Sequence, residues 1–170
     1  TSKVIRRKGL RIAVMGIMDP YAIKFYPDDI KKRIRLSDPV ESIKKEMKKL
    51  SSKADIFILL THQGYDLDVE FAKKIDGLDL IVGSHSQTKI ESPKEVNDAL
   101  IVQAGKSGYY VGIVEIKTNR GKVVEKSGRI DTMKFDMPDD PRIMKMIEEY
   151  ESKTGRMNMR KKKLKEKANG

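Results

Sequence analysis

The 170-residue chain has no cysteine and no tryptophan, and aromatic residues make up only 6% of it. Without cysteine there is no disulfide framework, no thiolate metal site and no Cys nucleophile. So few aromatics leave little for a surface that stacks nucleic-acid bases. No apolar run reaches the roughly 20 residues that span a bilayer. The first residue is Thr1 and no signal-peptide pattern follows it. We therefore expect a segment that once continued upstream. Hydrophobic residues, at 38%, are sparse for a compact domain. They come in ordered runs, however, and such runs bury a core.

Positive charge is abundant, with 36 Lys+Arg against 25 Asp+Glu and a formal net charge of +11. Its placement matters more than its size. Residues 1–11 carry Lys3, Arg6, Arg7, Lys8 and Arg11 and no acid. Residues 151–170 carry 8 basic and 2 acidic residues, and the stretch between is balanced. A neutral body with two basic ends is not a basic binding face. We read residues 1–150 as the folded part and 151–170 as a basic helical tail or linker. Nucleic acid is not expected as a partner.

Hydrophobic periodicity gives an α/β chain. Val4–Arg7 and Leu10–Ile17 read as strands joined at Lys8-Gly9. Residues 20–36 read as an irregular loop. Asp38-Pro39-Val40-Glu41 is a helix start, with Asp38 as the cap and Pro39 in the first turn. Val40, Ile43, Met47 and Leu50 then share one helical face. The unbroken run Asp55–Leu60 fits a strand buried on both sides, as in parallel sheets covered by helices. A short helix is expected over Asp68–Ile75, and further strands over Leu78–Val82 and Ala99–Val102. Tyr109–Lys117 and Lys122–Ile130 form a closing hairpin around Asn119-Arg120-Gly121. Asp140-Pro141 opens a last helix, with Ile143, Ile147, Tyr150, Met157 and Leu164 at helical spacing.

Four strands end in small or polar residues, at Gly16–Asp19, Thr61–Gly64, Gly83–Gln87 and Gln103–Gly105. Ligands of open α/β sheets bind outside the carboxyl ends of strands. The chain's two histidines, His62 and His85, both lie at such ends. Neutral imidazole is the commonest transition-metal ligand near neutral pH. Gln87 offers an amide oxygen two residues after His85. A catalytic zinc usually takes three protein ligands, so these residues cannot furnish a full two-metal centre. Asp66 and Asp68 are expected at a helix start rather than on a metal, and Asp19 before Pro20 in a turn. There is no phosphate-binding Gly-rich loop and no Gly-x-Ser-x-Gly elbow.

Several motifs in register carry a family resemblance over roughly residues 9–150. Gly9–Ile17 resembles the strand that enters the second half of a 5′-nucleotidase-type, calcineurin-like metallophosphoesterase domain. Asp38-Pro39-Val40-Glu41 resembles the family's helix start, and Thr61-His62-Gln63-Gly64 its Ser/Thr-His-x-Gly motif. Gly83-Ser84-His85-Ser86-Gln87-Thr88 resembles Gly-Gly-His-Ser-His/Gln/Asn-Thr, with Ser84 in place of the second Gly. Gln103-Ala104-Gly105 resembles its Gln-Ala-Gly segment. The resemblance implies a partial β-sandwich flanked by helices, with a closing hairpin and a C-terminal helix. It implies that His62 and His85 are metal ligands and that Gln87 stands where many members have a second His. The resemblance further implies that the complete domain uses two divalent ions, zinc, manganese or similar, to hydrolyse a phosphoester of the nucleotide class. The family's Asp-x-His, Gly-Asp and Asn-His motifs are not in this chain. No catalytic residue is therefore assigned, and the N-terminal half of the domain is the expected partner. The family also implies a periplasmic or extracellular place. A non-catalytic scaffold with a vestigial metal site, or the related thiosulfohydrolase branch, are the alternatives.

Overall fold

The computed structural model describes residues 2–134 and 136–154. They fall into two units divided after Met133. The first unit begins with β1 (Ser2–Arg7) and β2 (Leu10–Met18), joined by a two-residue turn. Lys8 and Gly9 both have positive φ, +48° and +80°. That conformation matches the twist of a tight hairpin and favours Gly at the second position. A 3-10 turn (Pro20–Phe25) and the single-turn helix α1 (Asp28–Lys31) occupy the stretch expected to be irregular. Next come α2 (Pro39–Leu50), β3 (Ile56–His62), α3 (Tyr65–Ala72), β4 (Leu80–Val82), β5 (Lys94–Val96) and β6 (Ala99–Val102). The hairpin β7 (Tyr110–Asn119) and β8 (Lys122–Thr132) closes the unit and turns at Arg120-Gly121. The second unit holds α4 (Pro141–Thr154), where Asp140 Oδ1 accepts from the Arg142 amide at 2.8 Å. Met157, Leu164 and the rest of the expected tail lie outside the described residues.

The large sheet has the order β1-β2-β3-β4-β6-β5. Its four inner strands are parallel, and β1 and β5 pair antiparallel at the edges. Met15, Leu59, Ile81 and Ile101 stand in one register row across the inner strands. All four are buried in a cluster with Ile43 of α2 and Val69, Phe71 and Ala72 of α3. Each such side chain contributes about 1.5–3 kcal/mol through its removal from water. Asp38 caps α2 as its sequence demands, accepting from the Glu41 amide at 2.9 Å.

The next row, Gly16, Leu60, Val82 and Val102, faces the other way. Here the expectation of a strand buried on both sides fails. Leu60 is 45% exposed and Met18, on the same face, 52%. The hairpin packs near the Val102 end, where Gly128 stands close to Val102 and Pro93. The apolar run is real, but no second layer covers its middle among the described residues.

The opposite, amino-terminal edge is stitched by charge. Arg11 at the start of β2 grips Asp55 before β3 through Nη2–Oδ1 at 2.6 Å and Nε–Oδ2 at 3.1 Å. Backbone bonds reinforce the pair, Arg11 N to Asp55 Oδ2 at 2.8 Å and Asp55 N to Arg11 O at 2.7 Å. Hydrogen bonds from the guanidinium hold the Asp55 carboxyl down at about 2. A carboxyl lowered in this way stabilises the fold above its unfolded pKa and loses that effect as pH falls through the folded one. Asp55→Asn should therefore lower the midpoint of chemical unfolding at pH 7. The gap to wild type should close as pH falls from about 4 towards 2, and a gap independent of pH would rule the pairing out as its cause.

Candidate metal centre

Parallel pairing of β3 with β4 brings together two histidines that are 23 residues apart in sequence. His62 ends β3. His85 follows β4 in the loop 83–88, with φ +80°, and Gln87 has φ +56°. Side chains other than Gly rarely adopt this left-handed region, which costs roughly 1–3 kcal/mol per residue, so the loop must be held. Gln103 after β6, itself buried, does much of the holding. Its Oε1 accepts from the Thr88 amide at 2.5 Å and the Ser86 hydroxyl at 3.0 Å. Its Nε2 donates to the Ser84 carbonyl at 3.4 Å, and Gly64 N donates to the same oxygen at 3.0 Å.

The result is a His pair with His62 Nε2 and His85 Nδ1 3.2 Å apart. The rings meet edge to face, their centroids 5.0 Å apart. Two nitrogens on one tetrahedral ion, each about 2.0–2.1 Å from it, stand roughly 3.3 Å apart. The pair therefore fits a shared divalent ion. Gln87 is exposed, and its side chain forms no hydrogen bond to the described residues. Nor does any group of three His, Asp or Glu suited to a metal occur among them. Asp19 takes the turn role expected of it, its Oδ1 accepting from the Tyr21 amide at 2.8 Å. Its own amide donates to the His62 carbonyl at 2.9 Å, tying β2 to the site.

Asp66 and Asp68 both lie in the first turn of α3, as expected, but Asp68 is also buried. The helix starts earlier than its sequence pattern implied, at Tyr65, and carries Asp68 into the core beneath the histidine loop. One carboxylate oxygen accepts from Gln63 Nε2 at 2.9 Å. The other, Oδ2, has no hydrogen-bond partner, and neither has the buried Thr61 hydroxyl. Burial pushes this carboxyl up, with the hydrogen bond from the Gln63 amide pulling the other way. Neither an acid's burial nor a glutamine's reach across a loop has a short-range sequence signal. The one clue is Gly83, where a Cβ would stand 2.3 Å from Asp68 Oδ2 and 3.0 Å from Gln103 Nε2.

No family model matches the chain. An uncharacterized metallophosphoesterase of Bacillus subtilis, YunD, is 36% identical over 110 residues, 65% of this chain and 23% of that protein. Other relatives include 5′-nucleotidases and apyrases. The chain is a homologue of the 5′-nucleotidase-type metallophosphoesterases. The match lies in the C-terminal part of their domain, and this chain spans about a quarter of YunD's length. A 5′-nucleotidase precursor of Thermus thermophilus shares the fold at a TM-score of 0.76 and 23% identity, over 90% of this chain and 34% of that one. The sulfate thiohydrolase SoxB of the same organism does so at 0.70 and 23%, over 77% and 24%.

Two predictions follow from this packing. Gly83→Ala forces a methyl onto buried polar atoms and should cost about 1–3 kcal/mol, read by chemical denaturation. Unchanged stability would mean that Asp68 can move aside. A carboxyl raised in the folded state costs stability as pH climbs from its unfolded pKa to its folded one. Asp68→Asn should remove that cost. Its unfolding midpoint should exceed that of wild type by an amount that grows from about pH 4 upward, and a constant difference would refute the buried-acid account.

Proposed function

We propose that this chain supplies part of a dinuclear metal centre in a 5′-nucleotidase-like phosphoester hydrolase. The observation that carries the reading is the His62–His85 pair, set at matching ends of parallel strands with 3.2 Å between nitrogens. In this reading His62 and His85 hold one divalent ion, and the Gln87 amide oxygen completes the site of the other. Zinc, manganese or a similar ion would supply Lewis acidity at the phosphoryl oxygens and acidify an attacking water. This chain's part is to fix two imidazoles, one at the end of a strand and one in a pinned loop, so that little reorganises when charge develops. It assigns no general acid, and the segment alone does not turn over substrate.

The partner is the N-terminal half of the domain, which brings the remaining ligands. Two features support this. The relatives are far longer than this chain, and among the described residues no second layer covers the Met18–Leu60 face of the sheet. Residues 1–150 form the contribution to the domain and 151–170 a basic tail. The substrate is a nucleotide or related phosphoester, and the place periplasmic or extracellular. No described helix is long and apolar enough to cross a membrane. That no third His, Asp or Glu joins the pair among the described residues supports a second reading, a scaffold whose metal site is vestigial.

The full chain should take up Mn²⁺ weakly in calorimetry and release no phosphate from a nucleoside monophosphate. Mixed with a half-domain carrying Asp-x-His, Gly-Asp and Asn-His, it should gain Mn²⁺-dependent hydrolysis, which His62→Ala abolishes. Sulfate release from a thiosulfonate instead would favour the thiosulfohydrolase branch. Tight binding of two Mn²⁺ ions by the isolated chain would overturn the shared-site reading, and an inert mixture would favour the scaffold.

A further inference from the structure

Ser84 stands where the resembling motif has glycine, and it meets the histidine pair directly. Its hydroxyl lies 2.6 Å from the Thr61 carbonyl oxygen and 2.9 Å from His62 Nδ1. A hydroxyl has one proton to give and lone pairs to receive with. A carbonyl oxygen can only accept, so at 2.6 Å the Ser84 proton is committed to Thr61. The contact with His62 then closes only if Nδ1 carries the imidazole proton and donates it to Ser84 Oγ. The neutral ring is left with its lone pair on Nε2, the nitrogen that faces His85 Nδ1 at 3.2 Å.

We propose that Ser84 is a positioning residue that fixes His62 as its Nδ1–H tautomer, so that Nε2 is the nitrogen offered to a metal. The backbone around it is built for this. The Ser84 carbonyl accepts from Gly64 N and Gln103 Nε2, so the hydroxyl projects from a loop pinned to two other segments. Neutral imidazole in water prefers its proton on Nε2, the arrangement that would block the metal-facing side. The partner on the far nitrogen decides which side is open. A glycine at this position has no such oxygen. The tautomer assignment rests on the chain's own hydrogen bonds, and its value for a metal rests on the function proposed above.

The test uses the full chain, ¹⁵N-labelled and metal-free, at a pH where both imidazoles are neutral. Long-range ¹H–¹⁵N correlation spectra report which His62 nitrogen bears the proton. Wild type should carry it on Nδ1, Ser84→Gly and Ser84→Ala should move it towards Nε2, and Ser84→Thr should restore it. Zn²⁺ titration by calorimetry should show Ser84→Gly weakened by about 10-fold or more, as for other residues that orient a ligand histidine. A wild-type proton on Nε2, or a tautomer indifferent to Ser84→Gly, would overturn the proposal. If Ser84→Gly fails to fold, wild type and Ser84→Thr alone decide it. A tautomer shift without Zn²⁺ uptake by any variant upholds the Ser84 role and sinks the metal reading.

Discussion

Everything at the carboxyl edge of this sheet depends on the parallel register of β2, β3 and β4. A slip of one residue would turn each strand's core row to the open face and its open row to the helices. Two devices prevent it. At one end Arg11 and Asp55 clamp the entries of β2 and β3 with four polar contacts. At the other the Asp19 amide takes the carbonyl of His62. Between them, Met15, Leu59, Ile81 and Ile101 form a row that α2 and α3 can cover in only one register. The histidine pair therefore inherits its geometry from hydrophobic packing and an ion pair well away from it.

The loop that carries His85 shows how that inheritance is completed. Left-handed residues at 85 and 87 are unfavourable alone, and a buried glutamine with no bonds of its own would be costly too. Gln103 resolves both by spanning the loop from Ser84 to Thr88. Asp68 fills the remaining space under Gly83, one oxygen bonded and the other bare. Such an arrangement favours fixed geometry over maximal stability, as expected where function needs an ordered site.

Local chemistry made much of this legible in sequence. Lys8-Gly9 and Arg120-Gly121 announce their turns because positive φ is needed at both residues of each. Asp38-Pro39-Val40-Glu41 announces α2 because cap and first-turn preferences coincide. The matched strand ends placed His62 and His85 together before any coordinates did. Three things stayed hidden, for one reason. Burial of Asp68, the reach of Gln103 and the proton partner of His62 are contacts between segments about 5 to 22 residues apart, and no short pattern encodes them. The run Asp55–Leu60 misled in a related way. Its residues are chosen for two covered faces, and a sequence records that demand whether or not the cover is present.

The exposed Met18–Leu60 surface has a colloidal consequence. An apolar sheet face in water is an invitation to self-association, most of all at the high local concentrations of synthesis and assembly. Against this stands a net charge of +11 on a 170-residue chain. Copies of one chain repel each other over a Debye length of about 8–10 Å, a distance longer than the reach of apolar contact. Salt that screens the two basic ends weakens this long-range repulsion and leaves the apolar face to act, so self-association is more of a hazard in concentrated salt than in dilute buffer.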